Sequence, residues 1–261
     1  MIETVRGVFD SFIAWGTAEN ALPYFLSLLV VVGGGVLMWA RAQWATIPHE
    51  LGHAFVALLL GRKLSGININ KDSSGDTRTQ EFKSTNPISN LVTAPFRWVR
   101  GILVSFAGYP APYALGFALI YLWSHDYTRF ASLLMFVLLV FTLLYSTNMF
   151  GFLLVITGLA ITAIATWIDM PILRELFVLL IAGGMLSGGV KGTWEAWQVW
   201  RQDGKTSAER WGDPFFEPQH SDARALSQKT LIPQVIWLVI FSAVGIFGVM
   251  VSLVVLAQAY L

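Results

Sequence analysis

Six consecutive residues of this chain have the types and spacing to do chemistry: Pro48, His49, Glu50, Leu51, Gly52 and His53. They spell HExxH. Residues four apart share one face of a helix, so His49 and His53 can aim both imidazoles at a single ion. Glu50 follows the first of them, where its carboxylate can reach a water held by that ion. Two nitrogen ligands, one base and an open position for water are the elements of a zinc-dependent hydrolase. The chain holds only four histidines, so coincidence is a poor account of the pattern. The setting sharpens it, because an apolar run from Ala54 to Leu60 follows directly. A His-Glu-His cluster in such a setting costs several kcal/mol unless its members are paired or bound to metal.

The elements that must hold this motif are membrane helices. Of the 261 residues, 55% are hydrophobic and 13% charged, and the mean hydropathy is +0.61. Soluble domains carry about 25% charged residues. The composition is that of an all-α polytopic membrane protein. A net charge of +1 gives no reason to expect a nucleic-acid or acidic partner. No cleavable signal peptide is evident at the start. Residues 1–20 read as an amphipathic interfacial segment, and residues 21–261 as a single intramembrane metalloprotease-like domain.

About seven spans are expected, near 22–40, 44–60, 101–123, 130–145, 152–167, 172–190 and 233–256. The second carries HExxH and places His53 roughly 10 Å inside the membrane. Gly33, Gly34 and Gly35 in the first would let another helix approach closely. Prolines at 110 and 112 should break or kink the third. After the HExxH helix, residues 64–70 and 77–82 alternate like strands around a turn, which predicts a β-hairpin. Such a hairpin either caps the domain or adds an extended substrate as a further strand. Residues 83–99 read as a polar connector and 191–229 as the longest polar loop. In that loop Trp194, Trp197, Trp200 and Trp211 mark interfacial depth, and Ser221 can cap a short helix. Basic residues concentrate in segments 61–100 and 191–229, which the positive-inside rule places in the cytoplasm. A multi-pass protein of a bacterial cell (inner) membrane is the expectation.

Catalytic zinc takes three protein ligands plus water, and HExxH supplies two. The chain has no cysteine, so the third is a carboxylate, an amide or another imidazole. Asp222 ranks first, because it precedes the last span on the side where the HExxH helix ends. Asn148, at a helix junction, offers a weaker amide, and His220 adjoins Asp222. Asp126 and Asp169 fall on the opposite face by the charge distribution. A solvated carboxylate at a helix start is the competing reading of Asp222. No substrate-binding residue stands out.

The HExxH helix, Gly61-Arg62-Lys63 with the hairpin, and Ala107-Gly108-Tyr109-Pro110 in the next span together resemble the site-2 protease family of intramembrane zinc metalloproteases. The resemblance is closer to a bacterial and fungal branch with Ser221-Asp222-Ala223 and Thr230-Leu231-Ile232-Pro233 before the last helix. It covers most of the chain. It implies a three-helix catalytic core, zinc on His49, His53 and a third ligand, Glu50 as the base, and cleavage of transmembrane protein substrates within the lipid bilayer. Better-studied members hold the third ligand in an Asn-x-x-Pro…Leu-Asp-Gly motif. The nearest match here is Asn148-Met149-Phe150-Gly151, and no Leu-Asp-Gly with that motif's aspartate follows it. The competing function is a metal-binding membrane scaffold or regulatory pseudoprotease that cleaves nothing. A cation transporter would show inverted repeats, and none is visible.

Overall fold

The computed structural model describes residues 21–40, 43–80, 87–167, 170–206 and 221–259. The segment 1–20, Asp169, Trp211 and His220 lie outside them. Among the described residues are nine helices and one two-stranded antiparallel sheet. In chain order these are α1 (Ala21–Ala40), α2 (Gln43–Leu59), β1 (Lys63–Ile69), β2 (Gly75–Gln80), α3 (Pro87–Ala107), α4 (Pro110–Ser124), α5 (Thr128–Tyr145), α6 (Met149–Trp167), α7 (Pro171–Thr206), α8 (Asp222–Thr230) and α9 (Gln234–Gln258).

The protein is an integral, multi-pass membrane protein. Helices α5, α6, α7 and α9 are long and apolar enough to cross a membrane, and α3 with α4 makes a fifth span if that bent pair is counted as one. The expected count was about seven. The two expected spans outside that count fall on α1, a largely apolar helix of 20 residues, and on α2. That helix has 17 residues and spends several on Thr46, Pro48, His49, Glu50 and His53.

Two loop expectations give way to helix. The connector read at 83–99 is helical from Pro87 onward, because proline suits the first turn of a helix, where its missing N–H has no partner to lose. The loop read at 191–229 is helical as far as Thr206, so α7 runs for 36 residues and carries Trp194, Trp197 and Trp200 on its extension. Trp197 donates to Ser242 Oγ of α9 at 3.0 Å.

The helices pack on small residues. A Cβ at Gly34 would run into the Leu180 carbonyl and one at Gly183 into the Val31 carbonyl, so α1 and α7 meet backbone to backbone. Ser187 Oγ closes that contact by donating to Gly35 O at 2.8 Å. Tyr113 of α4 fills the gap left by Gly189, Gly245 and Gly248, and its hydroxyl meets Thr193 Oγ1 at 3.2 Å.

The hairpin is built into this bundle. Leu64, Ile67 and Ile69 of β1 are buried with Ile47, Leu51 and Ala54 of α2. The partners run from Lys63 opposite Gln80 to Ile69 opposite Gly75. Asp72 holds the turn, accepting from Ser74 N at 3.0 Å and Ser74 Oγ at 2.7 Å. The other edge of β1 is covered by residues between α5 and α6. Thr147 N donates to Ile67 O at 3.0 Å, and Asn148 Nδ2 donates to Ile69 O at 2.7 Å. Ile69 N returns a bond to Asn148 Oδ1 at 3.3 Å. Asn148→Ala should therefore speed amide hydrogen exchange at Ile69 and cost about 1–3 kcal/mol of hairpin stability, read by exchange mass spectrometry in detergent.

Candidate metal centre

Glycine positions α2 against the α3–α4 break. A Cβ at Gly52 would sit 2.5 Å from both Ala107 O and Ala111 Cβ. Across from it, α3 ends at Ala107 and α4 starts at Pro110, bent by 57°. Pro110 and Pro112 lack the N–H groups that would continue the helix. The break brings Gly108 onto the imidazoles. A Cβ there would collide with His53 Nε2 and lie 2.7 Å from His49 Cε1.

His53 is buried, and its Nδ1 lies 2.6 Å from Val104 O of α3. A carbonyl only accepts, so Nδ1 carries the proton and Nε2 is left with a free lone pair. The rings of His49 and His53 meet edge to face at 4.8 Å, and Tyr109 stands edge to face against His49 at 5.0 Å.

Asp222 arrives on α8. Ser221 caps that helix, accepting from Arg224 N at 3.3 Å. Ala223 and Leu226 bury one face beside Tyr109, Leu238 and Phe241. Three bonds fasten the far end of α8 to α3: Lys229 Nζ donates to Ser105 Oγ at 2.6 Å and to Gly101 O at 3.2 Å, and Trp98 Nε1 donates to Lys229 O at 2.6 Å. The result places Asp222 Oδ2 3.0 Å from His49 Nε2 and 3.1 Å from His53 Nε2, and the two Nε2 atoms are 3.2 Å apart.

These separations fit a metal. Zinc with bonds of about 2.0–2.1 Å sets tetrahedral ligand atoms roughly 3.3 Å apart. The donor set is two imidazole nitrogens and one carboxylate oxygen, and Gly108 keeps the space before them clear of side chain. Burial works against ionisation of Asp222, but without a metal the protonated forms of His53 and His49 facing it outweigh that and hold its carboxyl well below the usual range. Ligation needs that ionised form. Among the described residues this is the only His and carboxylate cluster so arranged.

Glu50 is buried beside the cluster. Its Oε2 accepts from Thr77 Oγ1 of β2 at 2.6 Å. A Cβ at Gly75 would collide with its Oε1. A cavity of about 820 Å³ opens in front of these groups, lined by Ser74, Lys191, Glu195 and Ser221 among others.

The other candidates from the sequence lie elsewhere. Asn148, considered as a third ligand, uses its amide on the Ile69 backbone. Asp126 sits at a left-handed position in the α4–α5 turn, with φ of 62°. His220 and Asp169 are outside the described residues. Thr77, Gly75 and the Val104 carbonyl belong to the site and were not singled out for it from the sequence, whereas Gly108 entered there as part of the Ala107–Pro110 motif. No local spacing links them to HExxH.

A family model described as Peptidase M50B-like matches residues 21–252. No curated protein and no solved structure matches the chain. Metal analysis of the purified protein tests the centre. About one zinc per chain is expected, lost in His53→Ala, in Asp222→Ala and in Gly108→Ala, and kept in Asn148→Ala.

Proposed function

The chain belongs to the Peptidase M50B-like family, a metalloprotease family of the site-2 type, and on that premise we propose that it is a zinc-dependent intramembrane endopeptidase. Its substrate is a membrane protein, cut in or near a transmembrane segment. One observation carries the reading: Asp222 Oδ2 lies within 3.1 Å of both histidine Nε2 atoms, with the Glu50 carboxylate buried alongside.

His49, His53 and Asp222 would hold the ion. When bound, zinc supplies Lewis acidity, which activates water near neutral pH and polarises a carbonyl. Glu50 takes the proton of the attacking water on its carboxylate and delivers it to the leaving amide nitrogen. Val104 keeps a proton of His53 on Nδ1, so Nε2 is the nitrogen that would ligate. Tyr109, stacked on Phe241 at 4.3 Å between ring centroids, walls off one side of His49. A substrate helix bonds its carbonyls internally, so it must unwind before a peptide bond can reach Glu50.

The cavity is lined from two sides, by the hairpin turn at residues 72–77 and by the α7 extension at residues 188–202. Both sides belong to the basic segments of the chain, with Lys71 beside the first and Lys191 and Arg201 on the second. That supports access from the cytoplasmic face of a bacterial inner membrane.

Zinc-loaded protein should cleave a panel of transmembrane peptides bearing helix-breaking residues, followed by mass spectrometry. Glu50→Gln should keep its zinc and lose about 10²–10⁴-fold in rate. A wild type that holds zinc yet cuts no peptide would point to the scaffold instead.

A further inference from the structure

The hairpin was open to two readings, a cap or a substrate edge. Its contacts with α2 assign it a third role. We propose that β2 is part of the catalytic apparatus, with Thr77 as the positioning residue that aims Glu50 and Gly75 as the gap that admits its carboxylate. This rests on the metalloprotease reading and adds a residue to it.

Glu50 is 3% exposed. Among the described residues, the Thr77 hydroxyl is the one hydrogen-bond donor to its carboxylate. Thr77 Oγ1 has a single proton and two acceptors in reach: Glu50 Oε2 at 2.6 Å and the Glu50 backbone carbonyl at 3.1 Å. The shorter, charge-assisted bond takes it. The second carboxylate oxygen, Oε1, packs against Gly75 where any side chain would collide. Both oxygens of the base are thus placed by one strand.

That strand is itself fixed to the helix carrying the base. Thr46 Oγ1, one helical turn before Glu50, donates to Ser73 O in the hairpin turn at 2.7 Å. Behind β2, the buried β1 is locked to Thr147 and Asn148. The orientation of Glu50 is therefore set in the resting protein. A general base must stand within hydrogen-bond reach of the proton it takes. A misplacement of about 1 Å can cost on the order of 100-fold in rate.

Thr77→Val keeps the shape and removes the hydroxyl, whereas Thr77→Ser keeps the hydroxyl. In the full-length, zinc-loaded protein acting on a cleavable transmembrane peptide, Thr77→Val should lower kcat about 10–100-fold. KM should stay within about twofold and zinc content unchanged, and Thr77→Ser should restore most of the rate. An unchanged kcat in Thr77→Val overturns the proposal. So does a raised KM at constant kcat, which would make Thr77 a substrate contact. A second measurement needs no activity: the melting temperature of the metal-free protein in a cycle with Glu50→Ala. Thr77→Val should lower it by about 2–4 °C in the wild type and by less in Glu50→Ala. Equal shifts in both backgrounds also overturn the proposal. A wild type that binds zinc but cuts nothing removes the metalloprotease reading and the positioning role with it, and the thermal coupling would still report the contact.

Discussion

Two imidazoles and two carboxylates are crowded into the interior of an apolar protein, and the rest of the structure accommodates that crowding. Each such group costs several kcal/mol when buried without a partner. The neighbouring elements supply the partners. α3 gives His53 a backbone carbonyl. α8 delivers Asp222 to both imidazoles. β2 gives Glu50 a hydroxyl. Remove any one element and a charged or polar group loses its partner. This is why a small hairpin and a nine-residue helix, neither stable alone, are held so firmly against the bundle.

The break between α3 and α4 serves the same end. A continuous helix through residues 107–110 would present a side chain or a ridge to the histidines. The proline-rich turn instead offers Gly108, with Tyr109 alongside. The bend thus clears room in front of the ligands and walls them at once.

How much of this could be read from the chain depends on the range of each interaction. HExxH, the hairpin at 64–82 and the Ser221 cap are local patterns, and the structure has a helix, a hairpin and a capped helix there. Asp222 could be nominated from its chemistry and its side of the membrane, and it lies against both histidines. Thr77 could not. Twenty-seven residues separate it from Glu50, and a threonine in a strand is unremarkable until the strand is folded over α2. The helical extension to Thr206 was misread because its polar residues, Lys191, Glu195, Gln198, Arg201 and Gln202, looked like a loop. They are the part of a long helix that leaves the apolar stretch. Segment 83–99 reads as a connector for a similar reason, its polar residues, whereas Pro87 starts a helix there.

The candidate ligand atoms come from distant parts of the chain, His53 and Asp222 lying 169 positions apart. An ion gripped by both would tie α2 to α8 as a removable cross-link, closing a loop that spans most of the protein. Closing a loop of that length by a fixed bond removes on the order of 5 kcal/mol of chain entropy from the unfolded state in the simplest treatment. Such an ion would then also act as a topological staple, and the pair α8–α9 would owe part of its place in the fold to metal supply.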